Sequence, residues 1–427
     1  MQGRSGARSI LVACVVIGWV ALLGGCGQQA EPLDAGPGWT QLPDSPLPPE
    51  REGSVSFWAG DRLVVAGGVD LGEETNASEI RDIAFTGQTV TYVPATNSWV
   101  EQPPLVVPNF DGVAFFGGVW MGSYWLGAGS PCRSTRANFS KVSSLCSLER
   151  IGLRWELGAG WTVLDAPTRA AYVGTDERGD YASELRPVGP MGEAALFTSA
   201  TGYSLLSRQG AWSFTPWPDV ESLPSAIYLN IGCLVAGEMW TRTTDDPSFY
   251  QAGPSEVNEA IVAIDTRSGT TRVIAEGQTD GYASGGYLIC LETVALYQPD
   301  MQGPILSISG AGPRELPRVE TPATASMSAW PLGLVHVQLE AADRAVSLGS
   351  GPDSTAWYLD GTTGELTFFP STLSVENTLW TGELIFAQLS PSYDTPAAGQ
   401  WFVLEPDGFG PSLSEATFPI PLDTPLS

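Results

Sequence analysis

The residues able to do chemistry are few, and their spacing is uninformative about catalysis. The chain has one histidine, His336, in GLVHVQLE. It alternates with Val335 and Val337, the period of a packed strand side chain. No Ser/His/Asp constellation, G-x-S-x-G elbow or phosphate-cradling P-loop is legible. Carboxylates are plentiful: Asp176-Glu177-Arg178-Gly179-Asp180, Asp245-Asp246, Asp360-Gly361 and Asp407-Gly408 are clusters. Asp-Gly is first a turn device, because tight hairpin turns need positive φ. Two acids facing one pocket would serve a hydrolase or lyase acting on polysaccharide, and several converging on a point would hold calcium. Nothing in the sequence selects such a set. No catalytic residue, metal ligand or cofactor is therefore expected, and a structural calcium is the one candidate ion.

A concentration of cations stands out more. Arg133, Arg136, Lys141, Arg150 and Arg154 fall within or beside residues 130–154, and Lys141 is the only lysine. One reading is a loop over one face that meets an anionic ligand or partner. The other is a solvated loop whose charges pair with neighbouring acids.

Stepping out to the whole chain, 427 residues exceed one ordinary core and fit either several domains or one large repeat fold. Hydrophobic residues at 43% and charged residues at 16% mark a globular protein. The 49 glycines and 34 prolines are scattered, which implies many short elements. A formal charge of −27 argues against nucleic acid as a partner, since phosphate backbones would be repelled.

Residues 1–25 have the layout of a secretory signal. Arg4 and Arg8 precede an apolar run from Ile10 to Leu23 that is too short for a comfortable membrane span. The run ends in Leu23-Gly24-Gly25-Cys26, which resembles the bacterial lipobox. That resemblance implies lipidation of Cys26 and cleavage just before it. Residues 26–38 then read as a flexible tether. Removing residues 1–25 leaves 18 cations against 47 acids, a formal −29. The expected location is the extracytoplasmic face of a bacterial cell membrane, with the membrane reached through the N-terminal lipid alone.

Residues 39–427 are expected to form one domain. GSVSFWAG, RLVVAGG, TVTYV and SWVEQ are four β-prone runs separated by turn residues, a small antiparallel meander. Over residues 39–118 this text resembles the kelch repeat, whose marks are Gly67-Gly68 closing a second strand, then Tyr92 and Trp99. The resemblance implies an all-β fold: a single β-propeller of four-stranded antiparallel blades. Third-to-fourth-strand hairpins recur near Trp161, Trp212, Ser268, Gly310, Thr363 and Asp407. With the first they make seven blades, six or eight being the alternatives, at spacings near kelch length. Second strands are expected in SYWLGAG, EAALFTS, IGCLVAGE, GGYLICLE, GLVHVQLE and ELIFAQLS. The run GWTQLP near the start should complete the last blade as an outer strand. Aromatics that return around the ring with drifting identity, Tyr358 with Phe368 among them, read as filling between blades.

Galactose-oxidase-type kelch proteins need a multi-histidine copper site, which one histidine cannot supply. Sialidase-type propellers carry S-x-D-x-G-x-x-W boxes, and none is present. Four cysteines remain after Cys14 and Cys26, an even number that suggests two disulfides in an exported chain. Of three pairings, the blade alignment favours Cys132–Cys146, closing the basic insertion, and Cys233–Cys290, bridging consecutive blades. The function expected is a monomeric binding or scaffold module with a protein or carbohydrate partner at one face. A carboxylate-dependent hydrolase or lyase is the alternative, and enzymatic activity is the less favoured reading.

Overall fold

The computed structural model describes residues 39–47, 51–70, 80–138, 145–176, 179–182, 185–220, 227–244, 256–280, 287–290, 295–298, 306–309, 312–315, 338–341, 344–347, 355–360, 365–370, 375–381, 384–389 and 400–404. Almost everything in them is β-strand. The strands are short because Gly, Pro, Asp and Asn punctuate the apolar runs every few residues. Successive runs pair antiparallel with their neighbours, so the chain lays down one up-and-down sheet after another.

Sheet 1 contains Arg51–Trp58, Leu63–Asp70, Thr89–Val93 and Ser98–Gln102, paired in that order. Sheet 2 contains Gly112–Trp120, Tyr124–Cys132, Ile151–Glu156 and Gly160–Leu164. Sheets 3 to 6 repeat the plan, beginning with Arg186–Met191, Ile227–Val235, Tyr287–Cys290 and Gln338–Ala341. Sheet 7 takes Val375–Trp380, Ile385–Leu389 and Trp401–Leu404 from the end of the chain and Trp39–Gln41 from its start. Seven such sheets are present among the described residues. The first strand of each of sheets 1 to 4 touches the first strand of the next, the first strand of sheet 6 touches that of sheet 7, and sheet 7 returns to sheet 1. Consecutive meanders whose first strands meet about a common axis define a β-propeller, with the N-terminal strand closing the ring.

The core is a series of wedges. Between sheets 1 and 2 lie Phe57, Val64, Ala66, Trp125, Leu153 and Trp155. Between sheets 2 and 3 lie Val119, Leu126, Tyr172, Phe197 and Leu206. Comparable clusters separate sheets 3 and 4, and sheets 4 and 5. A strand covered on both faces should be apolar throughout rather than alternating. Leu63 through Val69 are accordingly all buried. Trp125 and Trp155 are fully buried, and Phe57 stacks on Trp125 with ring centroids 5.1 Å apart.

Tyr92 and Trp99 sit opposite one another in register, with rings 5.3 Å apart. They face Phe386 and Trp401 of sheet 7, and the Trp99 indole donates to the Pro43 carbonyl at 2.8 Å. They fill the seam where the ring closes. The Tyr92 hydroxyl donates to Asn97 Oδ1 at 2.9 Å, which pins the left-handed turn residue between them.

Gly67 and Gly68 both have positive φ, and a Cβ on Gly67 would lie 2.3 Å from the Phe115 ring of sheet 2. The absence of a side chain is what lets the two sheets approach. Equivalent close approaches continue around the axis from the first strands. A Cβ on Gly117 would meet Pro187 at 2.9 Å, and one on Gly189 would meet Leu234 at 2.8 Å.

Three strand assignments differ from expectation. IGCLVAGE, GGYLICLE and GLVHVQLE were expected to hold second strands; the described parts, Ile227–Val235, Tyr287–Cys290 and Gln338–Ala341, are first strands, each followed by its own second strand. The cause is that first strands here are as apolar as second strands, so hydrophobicity alone does not tell them apart. In the first case Ala236 and Gly237, both at positive φ, make the tight first-to-second turn. In sheet 6, Tyr358 opposes Thr367, and it is Trp357 that opposes Phe368. His336 lies outside the described residues.

Candidate binding rim

An up-and-down sheet places its connections alternately at two ends. First-to-second and third-to-fourth turns share one rim, and second-to-third connections share the other with the crossings to the next sheet. Phe57, beside the turn after Trp58, packs on Trp120 and Trp125, which flank the first turn of sheet 2. Trp58 stacks on Phe386 beside the first turn of sheet 7. The turns therefore gather on one side.

That rim is made of tight turns. The Ala59 amide donates to the Arg62 carbonyl at 2.8 Å, Met121 to Tyr124 at 2.8 Å, and Thr381 to Leu384 at 2.9 Å. In the turn after Ile264, Asp265 accepts from the Arg267 amide at 2.9 Å and from the Ser268 hydroxyl at 2.9 Å. These bonds favour the charged carboxylate and hold its pKa below the ordinary Asp value. Arg62 does the same for Asp61 through a 2.7 Å contact. Burial pushes the Tyr92 and Tyr203 hydroxyls up, keeping them neutral.

The opposite rim is built up. After Asp70 the chain makes an extra strand, Ile80–Phe85, which pairs with the end of the second strand of sheet 1. Its other edge pairs with Thr135–Asn138 from the second-to-third connection of sheet 2. Beneath this ladder Val69, Ile83, Phe85 and Cys132 form a small core with Leu145 and Cys146 packed against it. The Cys132–Cys146 disulfide closes the insertion. Ser134 ties it further: its amide donates to Asp111 Oδ2 at 2.7 Å, and its hydroxyl accepts from the Phe85 amide at 3.0 Å. The result is a braced ledge joining sheets 1 and 2.

Among the described side chains, Arg133, Arg150 and Arg154 point to three different places. Arg133 is exposed on the ledge and its guanidinium lies over the Phe110 ring at 5.3 Å. The backbone of Arg136 is opposite Asp82 in the ladder. Arg150 is buried between sheets 2 and 3, bonded to the Ser130 hydroxyl and stacked 4.4 Å over Phe116. Arg154 turns to the tight-turn rim, where it donates to the Arg208 carbonyl at 2.9 Å and lies 3.5 Å from Glu156. Lys141 and Cys26 lie outside the described residues, as do Asp245-Asp246 and Asp407-Gly408.

Two apolar side chains stand out at the braced rim. Val106, in the crossing from sheet 1 to sheet 2, is 71% exposed, and Leu148, just beyond the insertion, is 75% exposed. Phe110 under Arg133 belongs to the same crossing. An apolar and cation-aromatic surface on a rigid support is suited to protein recognition, where aromatic residues and Arg are enriched. Among the described residues no group of three or more His, Cys, Asp or Glu is placed to hold a metal ion, and no helix is long and apolar enough to cross a membrane. The second disulfide, Cys233–Cys290, joins the first strands of sheets 4 and 5 and packs in the wedge between them. It stands apart from the ledge.

Sequence reasoning marked residues 130–154 but missed the Ile80–Phe85 strand that supports them. The apolar run Ile80, Ile83 and Phe85 was the available signal. The pairing partner is over fifty residues away, which no local pattern displays.

The chain is thus an all-β propeller with one ornamented rim. No protein-family model matches it, and no curated protein does. Solved structures do resemble it. The crystal structure of BamB from Moraxella catarrhalis is 10% identical, with a TM-score of 0.37, over 83% of this chain and 99% of that one. The β-propeller domain of Cps50 (Swd1) from Myceliophteria thermophila is also 10% identical, with a TM-score of 0.39, over 82% and 99%. The fold itself rests on the sheet order and ring closure above.

Proposed function

We propose that this protein is a kelch-type, seven-bladed binding module, held to the extracytoplasmic face of a bacterial membrane by a lipid on Cys26, that takes a protein partner on its braced rim. The observation that carries the reading is the ledge. A disulfide, a two-strand ladder and a private core are spent on one rim position, and Val106, Leu148 and the Arg133–Phe110 pair are presented there beside the acids Asp111 and Glu149. Loops held on a rigid scaffold are where binding residues concentrate. The lipid anchor is supported by Leu23-Gly24-Gly25-Cys26 at the end of the apolar run.

The test is crosslinking of the full-length protein in its own cell envelope with a photoreactive residue at Leu148 or at Ser123. A discrete crosslinked protein from Leu148, lost in the Val106→Asp/Arg133→Glu variant and absent from Ser123, is the expected result. Equal or stronger capture from Ser123 would move the binding surface to the other rim. Mass spectrometry of the mature protein should find the N-terminus acylated at Cys26; a chain beginning at Met1 would overturn the anchor.

A further inference from the structure

We infer that a water molecule is held in the wedge between sheets 3 and 4, bridging the hydroxyls of Thr198 and Thr241. The inference depends on neither the lipid anchor nor the partner. It starts from two side chains. Thr198 and Thr241 are fully buried, and among the described residues neither hydroxyl has a hydrogen-bond partner. A hydroxyl taken into a protein interior gives up its bonds to solvent, and leaving it unpaired costs the full desolvation of the group. Thr243, two residues on in the same strand, shows the ordinary solution: its hydroxyl donates to the Ala260 carbonyl at 3.4 Å.

The two hydroxyls belong to one place. Along Glu238–Thr244, the second strand of sheet 4, Met239 packs toward sheet 3 and Trp240 toward sheet 5. Alternation therefore turns Thr241 toward sheet 3. In sheet 3, Leu196 packs toward sheet 4 and Phe197 toward sheet 2, which turns Thr198 toward sheet 4. Gly232 lies directly opposite Thr241 in the ladder, a Cβ separation of about 5 Å. A Cβ on Gly232 would lie 2.6 Å from Thr198 Cγ2 and 3.5 Å from its Oγ1. Gly232 is thus the shared neighbour of both threonines. One water can join two oxygens that stand up to about 5.5 Å apart.

The backbone supplies further partners. A bulge leaves peptide groups of the longer strand outside the ladder, and the first strands of both sheets bulge here. In sheet 4, Leu229, Asn230 and Ile231 stand against Arg242 alone, between the Tyr228–Thr243 and Gly232–Thr241 pairs. In sheet 3, Val188 is the extra residue between the Pro187–Phe197 and Gly189–Leu196 pairs. The same Cβ on Gly232 would lie 3.4 Å from Val188 Cγ2, so this bulge reaches the same spot. An internal water needs about two to four polar partners. Two hydroxyls and the peptide groups freed by two bulges meet that need.

The experiment counts long-lived internal waters in the full-length protein by magnetic relaxation dispersion of the solvent nuclei. Thr198→Val and Thr241→Val keep the side-chain shape and remove the hydroxyl. The double variant should lose at least one long-lived water relative to the unaltered chain, and the single valines are read the same way. An unchanged count overturns the proposal. Thr198→Ser, which keeps the hydroxyl, should keep the water. Thr243→Val should leave the count as it is; an equal loss there would show that the count follows packing and overturns the assignment to Thr198 and Thr241. Thermal unfolding gives a second, signed readout. Each single valine should lower the midpoint by stripping a partner from the bridge, and the second should lower it by less than the first. A midpoint raised by either valine is the behaviour of a bare hydroxyl relieved by an apolar replacement, and it overturns the bridge.

Discussion

The two rims of this propeller are made of the same strands and do different work. At one, the described connections are turns of a few residues, several closed by their own backbone hydrogen bonds, and charges pair within reach of one another. At the other, the connections after the second strands of sheets 1 and 2 are long and zipped together, and apolar side chains stand in solvent, although in sheet 3 the same connection is only Ser199 to Thr201. The difference teaches where the constraint lies. A tight turn has little freedom beyond joining two strands. A long connection costs only slowly more entropy as it grows, so it is the end at which a ledge can be added without disturbing the wedges.

The contrast can be broken most severely from within. Trp125→Ala removes a fully buried indole beside the tight turns, and should cost about 3–5 kcal/mol in urea unfolding. A loss below about 1 kcal/mol would mean that the aromatic wedge between sheets 1 and 2 is not an anchor. Replacing Cys132 and Cys146 by Ser opens a 14-residue separation, worth about 3 kcal/mol by chain-entropy reckoning. Here the loss should be local. Amide exchange should quicken in residues 80–85 and 135–138 while Leu196 and Phe197 stay protected; uniform quickening would show that the ledge and the ring are one cooperative unit. Gly67→Ala should cost about 1–3 kcal/mol, because the new methyl meets Phe115 and the backbone has positive φ. Leu148→Asp should shift stability by less than about 0.5 kcal/mol while weakening partner capture, which separates the function of the rim from its support.

The smallest effect is a titration at the tight-turn rim. Asp265 has a folded pKa below its unfolded value, so its stabilising contribution is present above about pH 4 and is lost as pH falls through the folded pKa. Asp265→Asn should therefore lower the unfolding midpoint slightly at pH 7, and the difference should vanish near pH 2. A difference that persists in acid would assign the effect to packing rather than charge.

Much of the ring was legible because hairpins are local. Tyr92-Val93-Pro94-Ala95-Thr96-Asn97-Ser98-Trp99 contains its own turn, its own left-handed residue and both ends of a cross-strand pair. The closing role of GWTQLP could be read because it is a single strand-like run set ahead of the first four-run meander. Beyond sheet 3 no diglycine marks the second strands, and first strands are as apolar as second ones, while the close approaches of sheets 2 and 3 fall on first strands, at Gly117 and Gly189. First and second strands of sheets 4 to 6 were consequently exchanged. The ledge was legible only by half. Cys132 and Cys146 bracketed it, but the fate of each arginine depended on partners far away in sequence: Phe110 for Arg133, Phe116 and Tyr172 for Arg150, Arg208 for Arg154.

Ring closure by Trp39–Gln41 has a temporal side. Gln41 bonds Gln400 across a separation of 359 residues, so the strand synthesised first is paired last. At translation rates of about 5–20 residues per second, roughly 20–70 s pass before its partner exists. Until then sheet 7 lacks its three C-terminal strands and the seam at Tyr92 and Trp99 has nothing to face. The nascent propeller is an open arc with two raw edges, and a chaperone able to cover an edge strand would have its opportunity in that interval.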